Sequence, residues 1–128
     1  MTGATPSATR VVLVVEDDPL VRMSAVDIVE DADFVAYEAR NADQALRMLE
    51  AHPEISVLFT DIDMPGTMDG LALAHAVRQR WPHMTIIIAS GHVRIEKGDM
   101  PDDGVFFPKP YASSTIRRAL ERAAPRRH

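Results

Sequence analysis

A chain of 128 residues has room for one domain with a real hydrophobic core and not for two, and its 46% apolar and 26% charged residues are those of an ordinary globular protein. The absence of cysteine excludes disulfides and thiolate metal sites, and a net charge of −5 argues against a general affinity for nucleic acid. The first nine residues carry no apolar core of signal-peptide length, and no run approaches the length of a membrane span, so a soluble cytoplasmic domain with no membrane partner is expected.

After a flexible leader, 1–9, the run Val11-Val12-Leu13-Val14-Val15 has the composition of a strand buried on both faces, and it stops at Glu16-Asp17-Asp18. Asp18 followed by Pro19 reads as a helix N-cap with proline at the first helical position. Val21, Ala25, Ile28 and Val29 then share one helical face to about Asp31. A second strand is expected over 34–39. Asn41, with Gln44 three residues on, resembles a capping box and opens a helix striped by Ala42, Ala45, Leu46 and Leu49, ending at His52-Pro53.

Residues 55–60 form a third strand that ends abruptly at Asp61, with Pro65 and Gly66 forbidding its continuation. Asp69-Gly70 opens a third helix with Leu71, Ala74, Val77 and Trp81 on one side, stopped at Pro82. A fourth strand, 85–89, delivers Ser90 and Gly91. The stretch 92–104 holds Gly98, Pro101 and Gly104 without sustained helical periodicity, so any helix there is short or irregular. A fifth strand, 105–107, ends at Pro108-Lys109-Pro110, and Ser113 starts a last helix carried by Ile116, Ala119, Leu120 and Ala123. The arginines at 117, 118, 122, 126 and 127 complement the last turn of that helix, with a basic docking patch as the alternative; 124–128 is a short basic tail. The five histidines, at 52, 75, 83, 92 and 128, show no ligand spacing and read as surface residues.

Strands alternate with helical segments five times without a hairpin signal. That pattern calls for an α/β fold, a doubly wound parallel sheet with right-handed crossovers. In such a sheet ligands bind at the carboxyl ends of the strands. That edge would collect Glu16, Asp17, Asp61, Ser90 and Lys109. Clustered carboxylates repel, and a hard divalent ion with oxygen ligands, such as Mg²⁺, relieves the repulsion while leaving positions open for a phosphate. Lysine and serine both suit phosphoryl oxygens. The chemistry indicated is phosphoryl transfer involving a carboxylate, through an acyl phosphate.

Val-Val-Glu-Asp-Asp-Pro, Thr-Asp-Ile-Asp-Met-Pro-Gly, Ile-Ala-Ser-Gly and Phe-Phe-Pro-Lys-Pro, in this order and spacing, resemble the receiver domain of bacterial two-component response regulators over about residues 10–123. The resemblance implies a flavodoxin-like sheet of order 2-1-3-4-5. It implies that Asp61 takes the phosphoryl group from a phosphohistidine on a sensor histidine kinase or histidine phosphotransfer protein, the chain being a phosphoacceptor that assists its own phosphorylation and dephosphorylation. By the same resemblance Asp17, Asp61 and the backbone carbonyl of Asp63 hold Mg²⁺ with help from Glu16. Lys109 pairs with the phosphoryl group, Ser90 hydrogen-bonds to it, Phe106 is the switching aromatic that follows Ser90, and the Lys109-Pro110 bond is cis.

Two departures stand out: Gly66-Thr67 makes the loop after Asp61 one residue longer than the family pattern, and the stretch between Ser90 and Phe106 is short and lacks a good helix. Within the 128 residues no effector segment follows, so the expectation is a stand-alone receiver whose phosphorylation switches protein–protein contacts. Two alternatives remain open on sequence grounds. One is a haloacid-dehalogenase-like phosphatase with Asp61 as nucleophile and the Asp63 side chain as general acid. The other is a receiver-shaped interaction module that never accepts phosphate.

Overall fold

The computed structural model describes residues 10–64, 66, 68–91 and 95–123. The leader 1–9, the tail 124–128, Thr67, His92 and His128 lie outside the described residues. The elements are β1 (Val11–Val15), α1 (Pro19–Asp31), β2 (Val35–Ala39), α2 (Ala42–Ala51), β3 (Ile55–Asp61), α3 (Gly70–Arg80), β4 (Thr85–Ser90), β5 (Val105–Pro108) and α4 (Ser113–Ala123). All five strands pair in parallel, in the order β2-β1-β3-β4-β5. This is the expected doubly wound α/β architecture.

The sheet sorts its side chains by strand parity. Leu13, Val15, Leu58, Ile86 and Ile88 point to the layer of α2 and α3, whereas Val12, Val14, Val57, Phe59, Ile87 and Ala89 point to the layer of α1 and α4. Because β1, β3 and β4 are covered on both faces, they tolerate no charged residue along their length, and the first polar positions they can offer are at their ends. The edge strands are less covered, and Val35 on β2 and Val105 on β5 are partly exposed.

Helix starts follow the expected caps. Asp18 accepts from the amides of Leu20 and Val21, Asn41 from that of Gln44, and Asp69 from that of Ala72. The side-chain oxygen of Gln44 returns to the amide of Arg40, one residue before the cap itself. Two local expectations shift. Phe34 is buried but belongs to the turn ahead of β2, its amide bonded to Val29 O, so the strand begins at Val35. In α3 the buried positions are Gly70, Leu73, Ala74 and Val77, so Leu73 takes the place in the core expected for Leu71.

Between β4 and β5 the described residues contain only one short 3₁₀ turn, Lys97–Asp99. Over the described part, 95–104, the expected irregular segment is what is found. It is held to α3 by side chains rather than by its own helical ladder: a ring nitrogen of His75 donates to the Asp99 carbonyl at 2.7 Å, and Nε of Arg78 to the Asp102 carbonyl at 2.8 Å. Arg78 also donates to the carbonyls of Pro82 and Met84, which fixes the entry to β4.

Gly70 marks where α3 presses on the functional edge. Its amide donates to Ile62 O at 2.9 Å, and a Cβ at this position would collide with the backbone carbonyl of Asp61. Gly70→Ala is therefore expected to cost about 3 kcal/mol by overpacking a buried backbone contact. Denaturant unfolding with an unchanged m-value checks this; a midpoint equal to that of the wild type would show that α3 does not pin the end of β3.

Candidate functional site

Sheet register brings the site together. One step beyond the Val15–Thr60 pair stand Glu16 and Asp61, and Asp61 itself is level with Ala89 on β4. The ladder continues past the strand ends: the amide of Glu16 donates to Ala39 O, that of Ile62 to Ala89 O, and that of Lys109 to Ser90 O. Glu16, Asp61 and Lys109 have the parity of the α1/α4 face, while Ser90 has the parity of Ile88 and Phe106, on the α2/α3 face.

Glu16 is 6% exposed and Asp61 7% exposed. Carboxylate oxygens of Glu16, Asp17 and Asp61 lie within 4.8 Å of one another. The Lys109 ammonium sits between two of these groups, 3.0 Å from Asp61 Oδ1 and 3.4 Å from Glu16 Oε1. Its approach to Asp61 Oδ1 is a close charge contact without an aligned hydrogen bond, so that buried oxygen keeps acceptor capacity unused. The Lys109-Pro110 peptide is cis, as expected.

The electrostatics record the crowding. Burial pushes the carboxyl of Asp61 above its ordinary pKa; the Lys109 ammonium pulls it back and the charge of Asp63 pushes it further up. Burial likewise raises Glu16, opposed by the Asp18 amide that donates to its Oε2, with Asp61 adding to the rise. For Lys109 burial acts downward, but Asp61 and Glu16 outweigh it and leave the ammonium above its usual value. One ammonium does not offset three carboxylates. An all-oxygen donor set with one buried, underused oxygen fits a hard divalent cation such as Mg²⁺.

The other expected residues fall as follows. Ser90 is 2% exposed, and its hydroxyl donates to Oδ2 of Asp63 at 3.2 Å. The Asp63 carboxylate is thus turned toward Ser90. Phe106 is half-buried against the α2/α3 core, level with Ile88 and on the same face as Ser90. His52, His75 and His83 lie at the surface away from this cluster, as expected.

Three contributors escaped the sequence reading. Arg22 reaches back from α1 to donate to the backbone carbonyl of Glu16 at 2.9 Å and to pair with Glu38. Thr60 donates its hydroxyl to the Asp61 carbonyl at 2.8 Å. Tyr111 lines the cleft beside Lys109 with Val14, Val21, Ala25 and Phe59, its ring tilted against Phe59 and its hydroxyl pKa pushed up by burial. Only Tyr111 left a trace in the sequence, as an aromatic just after Lys-Pro.

Comparison with known proteins agrees with this geometry. Residues 12–121 match the family model described as "Response regulator receiver domain". The chain is 38% identical over 86 residues, 66% of its length, to a putative response regulator NtrX-like protein of Rickettsia bellii, and 30% identical over 124 residues, 91% of its length, to the sensor kinase CckA of Brucella abortus. It spans only 18% and 13% of those two proteins. Among solved structures, a response regulator receiver protein from Sinorhizobium medicae WSM419 shares the fold with a TM-score of 0.84 at 24% identity, covering 91% of this chain and 94% of that one. The receiver domain of NtrX from Brucella abortus superposes with a TM-score of 0.78 at 28% identity, covering 88% and 97%. Among the described residues no helix is long and apolar enough to cross a membrane.

The raised carboxyls of Asp61 and Glu16 set the sign of a pH effect. Each binds its proton more tightly folded than unfolded, so the stabilisation from protonation is present at low pH and is lost as pH rises through the folded-state pKa. In Mg²⁺-free buffer the Tm should rise as pH falls from neutrality through the folded-state pKa values. Asp61→Asn, which removes one crowded charge, should raise the Tm at pH 7 by several degrees and flatten this dependence. A wild type more stable than Asp61→Asn in Mg²⁺-free buffer at pH 7 would contradict the crowding.

Proposed function

The chain belongs to the response regulator receiver domain family, a family of phosphoacceptors rather than classical enzymes, and from that premise we propose that it takes a phosphoryl group onto Asp61 from a phosphohistidine and passes the change to protein partners. The observation that carries this reading is the buried Asp61 carboxylate, with Lys109 at 3.0 Å and one oxygen short of aligned partners, inside a cluster of three carboxylates.

In the transfer, an oxygen of Asp61 attacks phosphorus in line with the P–N bond. The P–N electron pair returns to the imidazole of the donor, which leaves with a proton, and the product on this chain is an acyl phosphate. Glu16, Asp17, Asp61 and the backbone carbonyl of Asp63 are the residues that would hold Mg²⁺, whose two charges, when it is bound, offset those of the carboxylates and the incoming phosphoryl oxygens. Lys109 moves its charge contact from Asp61 Oδ1 to a phosphoryl oxygen. Ser90 donates its hydroxyl to another. The apolar wall of Val14, Val21, Ala25 and Phe59 lowers the local dielectric, which strengthens these contacts.

The consequence at the surface follows from the shared face of Ser90 and Phe106. Displacement of Ser90 toward the phosphoryl group opens room next to Ile88, into which Phe106 turns, and the altered surface near β5 and the 95–104 segment is what a partner reads. The donor is a sensor histidine kinase or a histidine phosphotransfer protein. The phosphatase alternative asked the Asp63 side chain to act as general acid at Asp61, and that carboxylate engages Ser90 instead.

Intact mass after incubation with Mg²⁺ and acetyl phosphate tests the reading against the interaction module that never accepts phosphate. A single acid-stable, base-labile phosphoryl adduct is expected on the wild type and none on Asp61→Asn. Lys109→Ala should slow adduct formation at least tenfold. An adduct that persists in Asp61→Asn would place the chemistry elsewhere. No adduct on the wild type from acetyl phosphate or from any phosphohistidine donor would favour the unphosphorylated module.

A further inference from the structure

The hydroxyl of Ser90 is buried at 2% exposure, and a buried hydroxyl proton must have an acceptor. In this structure Oδ2 of Asp63 takes that proton at 3.2 Å, across 27 positions of sequence. The two partners differ sharply in environment: Ser90 is enclosed, whereas Asp63 is exposed on the loop leaving β3. Asp63 can therefore give up the bond and rehydrate at little cost. Ser90 can give it up only to another acceptor within the site.

We infer that the Asp63 carboxylate is a latch on Ser90, holding its hydroxyl proton in the resting protein, so that switching requires the proton to turn from Asp63 to an oxygen of the group on Asp61. The inference rests on the phosphoacceptor reading and gives a side-chain role to a residue which that reading uses only through its backbone carbonyl. A hydroxyl has one proton, so the two acceptors compete. A carboxylate accepts more strongly than a neutral oxygen, so the latch opposes switching until a group of comparable charge arrives on Asp61. That arrival also places negative charge beside Asp63, and the mutual repulsion favours release. Asp63 is thus a positioning residue acting through Ser90, and it sets how much of the gain from binding the phosphoryl group goes into turning the switch.

The test uses the full chain with Mg²⁺ and beryllofluoride, an acyl-phosphate mimic, with affinity read by ¹⁹F NMR. Asp63→Ala, which removes the acceptor, should bind about three- to tenfold more tightly than wild type, in proportion to the net worth of one long, part-buried hydrogen bond. Asp63→Asn, which keeps an acceptor oxygen without the charge, should fall between the two. In a Ser90→Ala background the gain from Asp63→Ala should largely vanish. An equal gain with and without Ser90, or identical gains for Asp63→Ala and Asp63→Asn, would reduce Asp63 to a source of negative charge and overturn the latch, as would no gain at all. A wild type that takes up no beryllofluoride would instead overturn the phosphoacceptor reading, and the latch with it.

Discussion

Three carboxylates drawn to the end of a buried sheet repel one another, and a single ammonium leaves that repulsion only partly offset. The rest of the structure is arranged around holding them there. Apolar strands give Glu16 and Asp61 a rigid base, because charges cannot slide back along β1 or β3 without entering the core. Lys109 is brought in by the extension of the β4–β5 ladder, Gly70 lets α3 press against the Asp61 carbonyl, and Arg22 anchors the backbone of Glu16. That crowding is relieved most simply by a divalent cation, which the all-oxygen donor set of the cluster fits.

The parity of the strands divides the labour. Glu16, Asp61 and Lys109 belong to the face covered by α1 and α4, where the cleft is lined by Val21, Ala25 and Tyr111. Ser90 and Phe106 belong to the face covered by α2 and α3, which also carries the 95–104 segment through His75 and Arg78. Residues of the two faces thus meet along the row of strand ends. Side chains from α3, rather than an ordered helix, hold the segment that borders Phe106, and regions held in this way open at lower cost than a core element.

Much of this was legible in the sequence because it is local or periodic. The continuous apolar runs gave the buried strands, Asp18, Asn41 and Asp69 gave the helix starts, and the acids and lysine closing those runs gave the cluster at the sheet edge. Gly98, Pro101 and Gly104 gave the irregular course of the described residues 95–104. What was not legible depends on pairings distant in sequence. Nothing near Arg22 signals that it donates to the carbonyl of Glu16, and nothing near His75 or Arg78 signals their bonds to carbonyls 24 residues away, since every residue offers a carbonyl. Leu71 and Leu73 are both apolar at the start of α3, and only the packing of Gly70 on β3 decides which of them faces the core. The contact of the Asp63 side chain with Ser90 left no trace either, since it joins residues 27 positions apart.

Thermal unfolding of the full chain in rising Mg²⁺, against sodium chloride at equal ionic strength, shows whether the carboxylate cluster is built for a divalent cation. A ligand that binds only the folded state raises the Tm by mass action. A saturable rise in Mg²⁺ well beyond that in sodium chloride is expected, and a much smaller one in Asp17→Asn. A wild-type Tm that follows ionic strength alone would contradict it.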